Sequence, residues 1–145
     1  MAPLNITSAN ATAVLTVEKL YPAGIELQNF STEQSISADE VTVAETRMGV
    51  DGHMSAGYVP TIYTVNISLE PGSASVRAIN NLLKTQQRAR QPYTVGLTIT
   101  IPSIAEIHRY SNGVLKSGKF VPDGQKVLSA LSYKFDFESF EPSSY

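Results

Sequence analysis

Between Gln91-Pro92 and Pro102 the chain runs Tyr93-Thr94-Val95-Gly96-Leu97-Thr98-Ile99-Thr100-Ile101, apolar at every odd position and small or polar at every even one. That period of two is the pattern of an extended strand with one face in a core. Wound into a helix, the same apolar residues would scatter over every side and leave no face to bury. The second face is almost all threonine, which suits water, a lumen or a neighbouring subunit equally. The alternation returns in Ala13, Leu15 and Val17 within a first strand over 11–20, in Tyr63, Val65, Ile67 and Leu69, and in Leu131, Tyr133, Phe135 and Phe137 within a last strand over 127–137. Shorter strands are expected at 25–30, 41–47 and 104–110. Tyr21-Pro22-Ala23-Gly24 and Ser111-Asn112-Gly113 read as turns, 31–35 as a polar connection and Pro142–Tyr145 as a tail.

One segment breaks this grammar. Pro71-Gly72 stops the strand before it, and Ser73 is placed to cap a helix running to about Arg90. Val76, Ile79, Leu82 and Leu83 recur at helical spacing and form one apolar stripe. Arg77, Lys84, Arg88 and Arg90 occupy the rest, with no acid among them, and their weight toward the C-terminal end suits the helix dipole. Many short strands with one inserted amphipathic helix give a mainly β fold: a two-sheet sandwich or partly closed barrel, the helix covering an edge or an open end.

The stretch from Asp39 to Leu69 holds two candidate strands with Met48 to Pro60 between them, a segment too long for a tight turn. It carries three glycines and two methionines: backbone freedom together with soft apolar surface that adapts to an irregular partner. Two readings are open. The segment is an arm that packs on another subunit, or it is a hairpin loop folded back on its own domain.

At 145 residues and 42% hydrophobic content the chain is sized for a single domain spanning 1–145. Thirteen acids against eleven bases leave a formal net charge of −2, so no whole-protein attraction to nucleic acid or to an anionic membrane is expected. With no cysteine there is neither a disulfide framework nor a thiolate zinc site. The start lacks a signal-peptide pattern, and no stretch approaches the roughly 20 apolar residues that span a bilayer, so the expectation is a chain made and kept in the cytoplasm unless it leaves inside a larger particle.

Motifs for chemistry are weak. Gly113 to Lys119 has the spacing of a phosphate loop, but Phe120 stands where a Ser or Thr should bind magnesium, and no helix can start at Phe120-Val121-Pro122. Asp51 with His53, and Glu106 with His108, are each two ligands where a site wants three or four, so no metal is expected. Asn5, Asn10, Asn29 and Asn66 begin glycosylation patterns that are chance matches without secretion. No Gly-x-Ser-x-Gly elbow is present. No enzyme and no cofactor are expected.

Glu45-Thr46-Arg47-Met48-Gly49-Val50-Asp51-Gly52, then Ser55-Ala56-Gly57-Tyr58 and the Val65–Leu69 strand leading into the helix, resemble the tail tube proteins of contractile-tailed bacteriophages; the likeness continues to Phe135-Asp136-Phe137. The resemblance implies a small β-sandwich or barrel with one helix. Such subunits form hexameric rings that stack into the inner tail tube, inside a sheath, with baseplate and tape-measure proteins as further partners. Genome DNA passes through the lumen without specific binding. It further implies assembly in the host cytoplasm and a place in the virion tail. Carried onto this chain, the arm at about 45–60 would supply subunit contacts through Met48, Val50, Asp51, His53, Met54 and Tyr58. Thr94, Thr98 and Thr100, or Asp136 and Glu138, would line the lumen, while Arg77, Lys84, Arg88 and Arg90 would face the sheath. The alternatives are a tube initiator at the baseplate, a tail terminator, or a monomeric ligand-binding β-sandwich whose aromatic site would draw on Tyr58, Tyr63 and Tyr110.

Overall fold

The computed structural model describes residues 12–27, 36–124 and 126–144. The expected strand end at 28–30, the connection at 31–35 and the patterns beginning at Asn5, Asn10 and Asn29 lie outside them. Nine strands and one α-helix follow in the order β1 (Thr12–Val17), β2 (Tyr21–Glu26), β3 (Ile36–Ala38), β4 (Ala44–Met48), β5 (Met54–Tyr58), β6 (Tyr63–Leu69), α1 (Ala74–Ala89), β7 (Val95–Ile101), β8 (Glu106–Gly118) and β9 (Leu131–Ser144). Seven strands make one antiparallel sheet, ordered β2-β1-β7-β8-β9-β6-β3, and β4 with β5 makes a second. The outermost strands β2 and β3 are not joined to one another, so the barrel is only partly closed.

The large sheet is built on a long ribbon of β8 and β9, paired from Glu106↔Ser144 to Gly118↔Tyr133. β7 lies along the first half of β8 and β6 along the first half of β9, so the two flanks attach at opposite ends of the ribbon. This diagonal offset lets one sheet fold over its own face, strands passing round the corner through bulges. The alternation buries Ala13, Leu15 and Val17, Val65, Ile67 and Leu69, Val95 and Leu97, and Tyr133, Phe135 and Phe137 in one cluster. Helix α1 adds Val76, Ile79 and Leu82 to that cluster, each contributing about 1.5–3 kcal/mol by leaving water.

Local chemistry sets the helix ends as expected. The Ser73 hydroxyl accepts a hydrogen bond from the Ser75 N–H at 3.2 Å, and Arg90 closes the helix in the left-handed region at φ 57°, its N–H donating to the Gln86 carbonyl at 2.8 Å.

Several expected boundaries are corrected. Ser111-Asn112-Gly113 is not a turn but a bulge inside β8. Asn-Gly signals positive φ, and Asn112 adopts φ 55° where Ser111 and Asn112 both oppose Gly96. A hairpin turn and a bulge ask for the same residues. Gly113 is needed there for closeness, because a Cβ would run into the Phe137 ring and sit 2.7 Å from the Asp136 carbonyl. Tyr21 to Gly24 belongs to strand β2, the turn falling at Glu18–Leu20, and β9 starts at Leu131 rather than Val127. Pro142 is in strand rather than tail, and Ile104 ends a short 3-10 turn before β8. Both prolines sit where no partner needs their N–H: Pro22 on the edge strand β2, and Pro142 in the half of β9 that pairs with β8 alone.

Candidate functional site

The segment from Met48 to Pro60 is not the long loop expected, because its second half is strand β5. The register Ala44↔Tyr58, Thr46↔Ala56 and Met48↔Met54 makes β4 and β5 a hairpin closed by only five residues, 49–53. Three bonds hold that tip: Gly49 N–H to the His53 carbonyl at 2.8 Å, Gly52 N–H to the Gly49 carbonyl at 3.0 Å, and His53 N–H to the Asp51 carboxylate at 3.1 Å. Gly52 supplies the required positive φ of 85°. Asp51, through its carboxylate, and His53, through its backbone, therefore act in shaping the turn.

Every residue of β4 and β5 is exposed, and the hairpin pairs with no strand of the large sheet. The exposure is not random. Ala44, Thr46, Met48, Met54, Ala56 and Tyr58 share one face of the ribbon, and Glu45, Arg47, Ser55 and Gly57 the other. Met48 is 66% exposed, Met54 64% and Tyr58 80%, with Val50 wholly exposed at the tip. A two-stranded hairpin gains little stability alone. Among the described residues the hairpin does not fold back on the large sheet, and it projects as an arm.

At the root of the arm the half-closed barrel is unsealed. A groove of about 490 Å³ opens there, lined by Ala38, Val43, Tyr63, Tyr110, Phe140 and Pro142 among others. Its floor is an aromatic chain continuous with the core: Phe137 to Tyr110 at 5.2 Å between centroids, Tyr110 to Phe140 at 4.7 Å, Phe140 to Tyr63 at 5.6 Å. Burial pushes the Tyr110 phenol above its ordinary pKa, since the ionised form would lose hydration. His108 stacks on Phe140 at 5.7 Å and places Nε2 3.1 Å from Glu106, so the two residues expected to share a face do meet. Tyr63 and Tyr110 come together in this groove, whereas Tyr58 stands out on the arm. Phe140 was not foreseen as a site residue; it falls beyond the expected end of β9, and nothing local distinguishes it.

The other candidates are spread over the outside. Thr98 and Thr100 lie half-buried on the face of β7 turned from the core. Asp136 has the same aspect on β9: its carboxylate accepts a 2.7 Å hydrogen bond from the Thr64 hydroxyl and lies 3.5 Å from the Lys116 ammonium. Thr94 precedes β7 and Glu138 follows Asp136, both exposed. With Lys134 on this face and Arg109 opposite Glu141, its charge is mixed rather than acidic. Arg77, Lys84, Arg88 and Arg90 are all exposed on α1.

Gly113 to Gly118 runs as strand rather than as a phosphate cradle, and the Lys119 ammonium just beyond it is engaged 2.6 Å from Asp123. That hydrogen bond, then the charge of Lys119, holds the Asp123 carboxyl below the usual carboxylate range. Among the described residues no three acids or histidines group as metal ligands, and no helix is long and apolar enough to cross a membrane.

The sequence matches the family of tail fiber protein gp32 over residues 4–141. The chain belongs to that family. No curated protein matches it. Among solved structures, a chain of the anti-feeding prophage baseplate superposes with a TM-score of 0.68 at 10% identity, covering 99% of this chain and 98% of the other. A chain of the sheath-tube complex of PVC, an extracellular contractile injection system, in its extended state gives 0.60 at 10% identity over 99% and 93%. A chain of the anti-feeding prophage tube-terminating cap gives 0.55 at 9% over 100% and 93%. The tail-tube-like fold implied by the resemblance is thus the fold observed.

Proposed function

We propose that this chain is a structural, non-enzymatic subunit of a contractile phage tail, whose copies join through the arm into hexameric rings that stack into the inner tube. The observation that carries the reading is the arm itself, a hairpin with a largely apolar face and, among the described residues, no strand of the large sheet paired to it. Membership of a tail protein family and full-length likeness to injection-system components support the same reading. The arm and the large sheet are different patches, so a contact between them is head-to-tail, and head-to-tail contacts close into rings or extend into filaments. DNA passes through the lumen unbound, past Thr94, Thr98, Thr100, Asp136 and Glu138. Assembly takes place in the host cytoplasm, with baseplate and tape-measure proteins setting the ends and the length.

The basic face of α1 is turned outward to the sheath. Reversing Arg88→Glu and Arg90→Glu should weaken sheath binding several-fold while tubes still form; loss of tubes would place this face between subunits instead.

A second reading is favoured by the higher likeness to a baseplate chain than to the sheath-tube chain: a ring that initiates or terminates the tube and does not polymerise alone. Negative-stain electron microscopy over a range of concentration separates the two, filaments supporting a tube subunit and single rings an end ring. Deleting Gly49 to Gly57 should leave a cooperatively melting monomer, by circular dichroism, that forms neither. Persistent assembly of that variant would remove the arm from the interface.

A further inference from the structure

We infer that Asn112, in the bulge of β8, is a site of spontaneous covalent modification, at which the side-chain amide closes onto the Gly113 nitrogen and is lost, leaving a carboxylate in the folded chain. The reaction needs neither a partner nor a second copy of the chain, so it goes beyond the assembly reading.

The step balances with water as the sole co-reactant. The Gly113 backbone nitrogen attacks the Asn112 side-chain carbonyl carbon, forming an N–C bond in a five-membered imide. The side-chain nitrogen departs as ammonia, carrying the proton that the Gly113 nitrogen gives up. One water then opens the ring at either carbonyl, giving aspartate or the isomer whose backbone runs through the former side chain. Nothing is oxidised or reduced.

The sequence singles out the position. Asparagine is among the thermolabile side chains, and Asn112 is the one asparagine in the chain followed by glycine. A glycine nitrogen has no neighbouring Cβ in its way and moves on the freest backbone of any residue. Among the described residues the other asparagines precede Ile67, Asn81 and Leu82, whose side chains crowd the same approach.

The structure removes the restraints that hold those others. Asn66 donates its amide to Asp39 at 2.9 Å and Asn81 to the Tyr21 hydroxyl at 3.1 Å, while Asn80 lies within helix α1. The Asn112 amide has no hydrogen-bond partner among the described residues. Its backbone stands at φ 55°, and the ladder steps over it, pairing Ser111 with Ser139 and Gly113 with Phe137 and Val95. Water reaches the exposed side chain through a cleft of about 380 Å³ that Asn112 lines with Thr16, Glu18 and Ser111 among others.

The isomer has a consequence at the same corner. Its backbone carries one more carbon immediately before Gly113, where even a Cβ would run into the Phe137 ring. Loss of the amide therefore loosens the corner of the ribbon and, being irreversible, records the age of the chain.

The full chain is held in warm, mildly alkaline buffer, sampled over days and digested with trypsin, which releases Asn112 in the peptide Tyr110–Lys116 and Asn80 with Asn81 in Ala78–Lys84. Mass spectrometry should show the acid form of Tyr110–Lys116 accumulating at least about ten-fold faster than that of Ala78–Lys84. Part of it should be methylated by isoaspartyl methyltransferase, and Asn112→Gln protein should stay unmodified at this position. The aged protein should melt below both the fresh parent and Asn112→Asp, which adds the charge without the extra carbon; equal melting would overturn the effect on the corner. If Tyr110–Lys116 keeps its amide in the folded chain while the chain unfolded in urea loses it, the fold protects the bond and the inference is overturned. Equal rates in the two peptides overturn it as well.

Discussion

The large sheet and the arm are made by the same rule of alternation and come to opposite ends. In β9 the apolar set of Leu131, Tyr133, Phe135 and Phe137 is buried to 2% or less; in the arm, Met48, Met54 and Tyr58 stand in water at more than 60% exposure. Both ribbons place apolar residues on one face, but only one has a second layer to meet. The sheet's apolar face stabilises the fold, whereas the arm's, left in water, contributes almost nothing to that stability.

The sharpest way to break the comparison is to truncate one apolar residue in each. Phe135→Ala should cost about 3–5 kcal/mol in chemical denaturation, the range for emptying an aromatic site in a packed core. Met54→Ala should stay within about 0.5 kcal/mol, as exposed substitutions do, yet weaken association. Comparable losses at both sites would mean that the arm packs on its own domain.

A smaller effect is expected at the corner of the ribbon. Gly113→Ala should cost roughly 1–3 kcal/mol, the usual penalty for forcing a methyl into a filled space, and should show as a lowered melting temperature. An unchanged melting temperature would mean that Phe137 moves aside freely.

The smallest concerns Tyr133, whose hydroxyl is buried with no hydrogen-bond partner among the described residues and whose burial raises its pKa. Tyr133→Phe removes an unsatisfied group and should leave stability unchanged or raise it by about 1 kcal/mol. The pH dependence follows in sign. Tyr110 and Tyr133 are raised in the fold, so the stability they contribute is full below the ordinary tyrosine pKa of about 10 and is lost as pH rises through their folded values. Urea titrations from pH 8 to 11 should therefore show falling stability, less steeply in Tyr133→Phe. Identical slopes would show that Tyr133 does not ionise in the unfolding window.

What the sequence disclosed follows the range of the physics involved. Strands β1, β6, β7 and most of β9 were legible because a period of two needs only neighbours in sequence, and α1 because Ser73 caps it locally. Asn112-Gly113 misled because positive φ serves turn and bulge alike. The arm's glycines and methionines marked an irregular segment, but β5 within it was not legible, since every residue from Met54 to Tyr58 is exposed and no core imposes strict alternation. The groove was hidden for another reason. Its lining comes from β3, the arm root, β6, β8 and β9, and only the diagonal offset of the ribbon brings those segments together.

The two edge prolines bear on the time before any partner is met. A protein rich in strands must accumulate in a crowded cell without templating strand addition along its own margins, the route by which β proteins become irregular fibres. Pro22 and Pro142 withhold a donor from such additions at the two margins where they lie. The margins of the sheet are in this way guarded by backbone chemistry, whatever side chains stand around them.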